Sequence, residues 1–79
     1  MTINEAIEAL DRYRDYRQPL GHYLMAVLRN DLFEAALRAD VESWSRIKEI
    51  LGYCYAKLPV ECWGSEERVK AWLANAVDA

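Results

Sequence analysis

A chain of 79 residues with a net charge of −3 has the size of one small domain, and we predict a single helical domain over residues 1–79. The acidic balance argues against a general nucleic-acid binder, which needs a basic face to release counterions from phosphates. Apolar residues make up 53% of the chain and nine residues are aromatic. Because so small a body cannot cover all of them, we expect a homo-oligomer.

The sequence also predicts where the protein works and what it lacks. No apolar run approaches the ~20 residues that span a bilayer, and residues 1–5 begin a helix directly instead of a signal peptide. We therefore expect a cytoplasmic protein without membrane contact. Cys54 and Cys62 match no redox or zinc spacing and there is one histidine, so we expect free thiols, no metal and no cofactor.

The first two predicted helices cover residues 3–16 and 20–29. Thr2 and Glu5 form a capping-box pattern at the start of the first helix. Pro19 limits the end of that helix and lies near the first turn of the next one, because the residue before a proline avoids helical geometry. Helical spacing predicts these buried positions: Ile3, Ala6, Ile7, Leu10 and Tyr13 in the first helix; Leu20, Tyr23, Leu24, Val27 and Leu28 in the second.

A third helix is predicted over residues 32–39, with Asp31 as its cap and Glu34 in its first turn. One bent helix running through Asn30 and Asp31 is the competing interpretation. Helices as short as the second and third are not stable alone in water. We therefore expect both to form the centre against which the longer helices pack.

Two further helices are predicted over residues 41–58 and 66–77, capped by Asp40 and Ser65. Their predicted buried positions are Val41, Trp44, Ile47, Leu51, Cys54, Tyr55 and Leu58 in the fourth helix, and Val69, Trp72, Leu73, Ala76 and Val77 in the fifth. The pattern thus predicts an all-α fold, a compact bundle of about five short helices without strands.

The residues show no arrangement typical of an enzyme. His22 is the single histidine, and no motif places it beside a cysteine or serine with a carboxylate to orient it. Asp31, Glu34 and Asp40 fall at helix starts, where carboxylates satisfy free backbone N–H groups. We predict a protein without catalytic activity.

A local basic segment stands out in this acidic chain. Between residues 12 and 29 it carries four arginines, Arg12, Arg14, Arg17 and Arg29, against one acid, Asp15, with Tyr13, Tyr16 and Tyr23 between them. Arginine forks bind phosphates and tyrosines stack on bases, so the segment is a candidate nucleotide site. For that site we expect a pocket shared between subunits and built from Arg14, Arg17, His22, Tyr23 and Arg38. The alternative is a solvated turn whose arginines pair with acids of the fourth or fifth helix.

Trp63 lies between turn residues, and helical periodicity does not account for it. One interpretation is that it closes the bottom of the core. The other is that it is an exposed anchor for a partner protein, since exposed tryptophans are typical interface hot spots. The segment from Tyr16 to Tyr23 is the second candidate for such a contact.

A longer pattern carries a resemblance to a known family. It reads Pro19-x-Gly21-x-Tyr23-Leu24-x-Ala26-Val27-Leu28-x-Asn30-Asp31-Leu32-x-Glu34-Ala35, then Arg38-Ala39-Asp40, Trp63-Gly64-Ser65 and Trp72-Leu73. This pattern resembles a family of small proteins encoded in tailed-phage and prophage genomes. Members often have Gly-Gly-Phe where this chain has Gly21-His22-Tyr23, a difference that speaks against a family-wide role for His22.

The resemblance implies a phage context, in the cytoplasm of an infected bacterium, and no particular activity. By analogy with other small phage accessory proteins, we expect a non-enzymatic protein that binds and neutralises a host component, such as an anti-phage defence factor. Two alternatives stay open: an oligomer that sequesters an immune signalling nucleotide, and a structural or assembly component of the phage.

Overall fold

The computed structural model describes residues 1–74, which fold into helices joined by short connections. The elements are α1 (Ile3–Tyr16), α2 (His22–Leu28), α3 (Leu32–Arg38), α4 (Val41–Ser45), α5 (Ile47–Lys57), a 3-10 turn (Val60–Cys62) and α6 (Glu66–Ala74). No strand occurs over this range, so the predicted all-α fold is confirmed. The expected extension of the last helix to residue 77, with Ala76 and Val77 on its buried face, lies outside the described residues.

Both ends of α1 are set by local hydrogen bonds. The Thr2 hydroxyl accepts a hydrogen bond from the Glu5 N–H at 3.2 Å, and the Glu5 carboxylate accepts one from the Thr2 N–H at 2.8 Å. This is the predicted capping box. At the other end Arg17 takes a left-handed conformation, with φ of 55°, and donates its N–H to the Tyr13 carbonyl at 3.0 Å. That reversal ends α1 before Pro19 is reached.

α2 begins at His22, two residues later than predicted, because Gly21 is extended and serves as the N-cap. It ends in a Schellman motif: Asn30 is left-handed, with φ of 62°, and the Asp31 N–H donates to the Ala26 carbonyl at 2.9 Å. The Asp31 side chain then caps α3 by accepting from the Glu34 N–H at 3.1 Å. α2 and α3 are therefore two helices, and the alternative of one bent helix is wrong.

The core is formed mainly by apolar side chains of α1, α2, α5 and α6, with Ala35 of α3 and Cys62 of the 3-10 turn. The side chains with 2% exposure or less are Ala6, Leu10, Tyr13, Leu24, Ala26, Leu28, Ala35, Ile50, Cys54, Cys62 and Val69. Long-range hydrogen bonds join the same elements: the Tyr13 hydroxyl donates to the Cys62 carbonyl at 2.7 Å, and the Trp72 indole N–H donates to the Tyr13 carbonyl at 3.0 Å. The buried positions predicted for α1 and α2 are thus largely confirmed.

The predicted fourth helix is broken at Arg46 into α4 and α5, so a single helix over residues 41–58 is wrong. The Ser45 hydroxyl donates to the Glu42 carbonyl at 2.7 Å, and a serine bond of this kind competes with the helical ladder. The break changes which side of the segment is covered. Ser43, Ile50, Cys54 and Leu58 are buried. Four predicted core residues are instead exposed by 40% or more: Val41, Trp44, Leu51 and Tyr55.

The expectation that α3 lies at the centre of the core is also wrong. α3 packs on α2 and buries only Ala35, which is 2% exposed. Leu32, Phe33 and Leu37 are each exposed by 65–75%. A helix that is apolar on most of its sides can bury only one of them in so small a body, and the side that fits against α2 carries the alanine.

Candidate interaction surface

The most unusual feature of the structure is a set of exposed large apolar side chains on α3, α4 and α5. We call this set the α3–α5 face, and its members are Leu32 (70% exposed), Phe33 (75%), Leu37 (65%), Val41 (89%), Trp44 (40%), Leu51 (41%) and Tyr55 (84%). Single exposed apolar residues are normal on protein surfaces, but seven on adjoining helices are not. The face is therefore the first candidate for a functional surface.

Two grooves border α3, and four members of the face line them: Leu32 and Leu51 in the first, Val41 and Trp44 in the second. The first lies between α3 and α5, has a volume of about 80 Å³, and is lined by Val27, Asn30, Asp31, Leu32, Ala35, Ile47 and Leu51. The second is a wide depression of about 480 Å³ between α3 and α4, lined by Ala36, Ala39, Asp40, Val41, Trp44 and Ser45. Both grooves are lined in part by residues of α3, which therefore takes part in each of them.

Side-chain direction on the helices divides the face into ridges and grooves. Phe33 and Leu37 are four residues apart, so they stand one above the other on the outer side of α3. Leu51 and Tyr55 form the same kind of pair on α5. Leu51 borders the first groove, and Tyr55 continues its row by one turn. The face thus has ridges and grooves, which a specific partner needs for a complementary fit.

The charged groups at the edge of the face are mostly engaged with their neighbours. Arg38 pairs with Glu34 at 2.8 Å, and Arg46 pairs with Glu49 at 3.0 Å. The Asp40 carboxylate caps α4 by accepting from the Ser43 N–H at 2.7 Å, and this hydrogen bond lowers the pKa of Asp40. An apolar centre with a polar edge is the usual anatomy of a protein–protein interface.

Arg14, the first arginine of the predicted nucleotide site, lies on α1 and has partners within the chain. The guanidinium of Arg14 lies 2.8 Å from the Asp15 carboxylate and 3.4 Å from that of Asp11, and it donates to the Lys57 carbonyl at 3.3 Å. The hydrogen bond from Arg14 lowers the pKa of Asp15. The carboxylates that pair with Arg14 belong to α1, so the expectation that acids of the later helices supply its partners is wrong.

Arg17 follows α1 and stacks on α6, with its guanidinium carbon 3.9 Å from the centre of the Trp72 ring. Its Nε is buried without a hydrogen-bond partner among residues 1–74. Such a cation–π contact fixes the arginine against the core. The neighbouring Tyr16 is 72% exposed. Tyr16 is thus accessible on the surface, whereas Arg17 stabilises the packing of α6.

Over residues 1–74, the other members of the predicted nucleotide site make no hydrogen bond or ion pair with Arg14 or Arg17; these members are His22, Tyr23 and Arg38. Tyr23 is buried, and its hydroxyl donates to the Ser43 carbonyl at 2.9 Å, which ties α2 to α4. Burial also raises the pKa of Tyr23. His22 is exposed in the first turn of α2, and Arg38 is on the exposed part of α3, paired with Glu34. A buried ring is not free to stack on a base, so the expected role of Tyr23 is wrong in the isolated chain.

Trp63 is half-buried and packs against the core, as the first of its two interpretations expects. Its indole N–H is buried without a partner in the described part of the chain. The Trp63 carbonyl accepts from the Arg68 guanidinium at 3.3 Å, which holds the turn onto α6. The exposed tryptophan of this protein is Trp44, on the α3–α5 face.

The two cysteines are buried and free. Burial raises the pKa of the Cys54 thiol to about 12 and that of Cys62 to about 11. Neither therefore forms a reactive thiolate near neutral pH. Over residues 1–74 no three His, Cys, Asp or Glu side chains are grouped as metal ligands, and no helix in this range has the length and apolar character to cross a membrane.

Comparison of the sequence with models of protein families and with curated proteins, and of the fold with solved structures, gives no match. Over residues 1–74 the fold exposes ten large apolar side chains, and seven of them belong to the α3–α5 face.

Proposed function

We propose that this chain is a small non-enzymatic accessory protein of phage type that binds a host protein through the α3–α5 face and neutralises it. The observation that carries this proposal is the face itself, with seven large apolar side chains exposed by 40–89%. Removal of apolar surface from water is the dominant driving force in most protein–protein association. A protein partner supplies enough complementary surface to cover the whole face.

The chemistry of the face favours a protein partner over a nucleotide. A nucleotide brings phosphates, which need free cationic donors. The arginine on the face, Arg38, is paired with Glu34, and in the basic segment Arg14 is paired with Asp15. The lining of both grooves is mainly apolar, with Trp44 at the edge of the second. Tryptophan is the residue type most enriched among binding hot spots.

The target class follows from the resemblance to small phage proteins, by analogy of context. A phage protein of this size acts on its host most simply by occupying a surface that the host factor needs. We propose that the target is a protein factor of anti-phage defence. Binding through an apolar face needs neither a cofactor nor a chemical step.

The test is phage plating on a panel of bacterial strains, each carrying one defence system, with and without expression of the chain. We expect expression to raise plating about tenfold or more on at least one strain. Leu37→Glu places a charge on the face and should abolish the effect, since burying an unpaired carboxylate is costly. Tyr16→Glu is the matched control, because Tyr16 is also exposed but lies on α1.

Circular dichroism of both variants must first show the wild-type helix content. Two results would contradict the proposal: wild-type protein that changes plating on no strain, or Leu37→Glu protein that restores plating as well as the wild type does. Loss of the effect in Tyr16→Glu protein would move the contact to the end of α1.

A further inference from the structure

We propose that the α3–α5 face is covered, when no target is present, by the same face of a second copy of this chain, in a two-fold symmetric dimer. The inference uses the surface on which the proposed function rests, but it concerns the protein alone. In this arrangement the second copy and the target compete for one surface. The dimer is then the resting state of the binding protein, in which the face is covered by the second copy.

The exposed area of the face favours a second copy as its occupant. The seven side chains of the face expose roughly 900 Å², at about 200 Å² for a fully exposed large side chain and the exposed fractions of 40–89%. The largest apolar patch of a typical soluble monomer covers only about 300–600 Å². A stable interface buries about 800 Å² on each partner. The face is therefore too large for an ordinary monomer surface and is the size that a dimer needs.

The shape of the face also favours contact with a second copy of itself. In a two-fold dimer the same patch meets itself, so each projection on the patch needs a recess on that same patch. The outer ridge of α3, Phe33 and Leu37, is the projection. The groove between α3 and α5, bordered by Leu32 and Leu51, is the recess beside it. In the proposed dimer each ridge lies over the groove of the other copy.

The net charge of the segment that forms the face predicts how the dimer responds to salt. Residues 31–55 carry five acids and three bases, a net charge of −2 on the segment that forms the face. Two such faces repel each other weakly, and dissolved salt screens this repulsion. Kosmotropic salts such as sulfate also favour burial of the apolar centre. The dimer should therefore become tighter as the salt concentration rises, whereas a contact based on opposite charges would weaken.

The test is sedimentation equilibrium of the purified chain over a wide range of concentrations, at low and high salt. We expect a mass of twice the 9.2 kDa chain, with tighter association at high salt. Phe33→Glu and Leu51→Glu lie on different helices of the face, and each should weaken association at least tenfold. Tyr16→Glu should leave the dimer intact. Urea unfolding of each variant establishes that it is folded.

A wild-type chain that stays monomeric at every concentration would overturn the inference. So would a dimer that survives both Phe33→Glu and Leu51→Glu, since its contact must lie elsewhere, or a trimer or larger ring. The proposed function fails separately. A monomer that restores phage plating leaves that function standing, and a dimer with no effect on plating overturns the function but not the dimer.

Discussion

At the scale of single residues, a few buried hydrogen bonds between distant segments supplement the apolar core of the described chain. The Tyr13 hydroxyl donates to the Cys62 carbonyl, 49 residues away, at 2.7 Å. Helical spacing predicts that Tyr13 is buried, but it gives no partner for the hydroxyl. That partner depends on how α1 meets the 3-10 turn, and local sequence does not encode this packing.

Tyr13→Phe should destabilise the protein, because it leaves the buried Cys62 carbonyl without its donor. The expected loss is about 1–3 kcal/mol of the free energy of unfolding, measured by urea denaturation. Tyr16→Phe is the control, since Tyr16 is 72% exposed and the same loss of a hydroxyl there should change little. Equal stabilities of the two variants would show that the Tyr13 hydroxyl contributes nothing.

The buried thiols predict how stability depends on pH. Burial raises the pKa of Cys54 to about 12 and that of Cys62 to about 11, so the folded protein keeps both protons where the unfolded chain loses them. Unfolding then releases protons above the ordinary thiol pKa of about 8.5. The contribution to stability is complete below that pH and is lost as the pH rises toward 11–12.

We therefore expect the urea midpoint of the wild type to fall between about pH 8 and pH 10.5. The double variant Cys54→Ala, Cys62→Ala should be less stable near neutral pH, because it loses buried side-chain atoms, but should show a shallower fall as the pH rises. The difference between the two slopes isolates the thiols from lysines and tyrosines, which titrate in both proteins. Parallel slopes would mean that the thiols ionise equally in the folded and unfolded states.

At the scale of helices, the sequence predicts best where local chemistry decides the boundary. The Thr2–Glu5 capping box and the caps Asp31 and Asp40 all occur where they are expected. Local rules fail at Arg46, because the apolar spacing runs straight through the break between α4 and α5. They also fail for α3, where periodicity shows that the helix is apolar but not which side α2 covers.

Two glycines offer a matched test of helix and turn chemistry. Gly52 lies inside α5, and a Cβ there would meet nothing within 4 Å. Gly52→Ala should therefore raise the free energy of unfolding by about 0.4–1 kcal/mol. Gly64 has φ of +107°, and its Cβ would lie 3.0 Å from the Arg68 guanidinium. Gly64→Ala should be destabilising, because it forces an alanine into a left-handed conformation.

Urea unfolding of both glycine variants provides the comparison. A stabilising Gly52→Ala together with a destabilising Gly64→Ala would agree with both backbone conformations. Loss of stability in Gly52→Ala would mean that something in solution covers that side of α5. The helix content from circular dichroism should be unchanged in either variant.

At the scale of the whole molecule, composition predicts that apolar surface must remain exposed, but not where. Apolar residues make up 53% of the chain, and apolar side chains of α1, α2, α5 and α6 already fill most of the core. The sequence indicates a binding surface at Trp63 or near Tyr16–Tyr23 because it shows only the character of single residues. The face emerges only when the break at Arg46 and the packing of α3 on α2 are both known, since each turns apolar residues outward.

The dimer makes a prediction about thermal stability that a monomer does not share. When a folded dimer unfolds to two chains, mass action makes Tm rise with protein concentration. For chains of this size the rise should be roughly 3–5 °C for each tenfold increase in concentration.

Differential scanning calorimetry should show this slope for the wild type and for Tyr16→Glu. Phe33→Glu should show a smaller rise of Tm with concentration, because its charge weakens the contact between the copies without disturbing the core. A wild-type Tm that is independent of concentration would mean that the α3–α5 face faces water in the free protein and is reserved for the target.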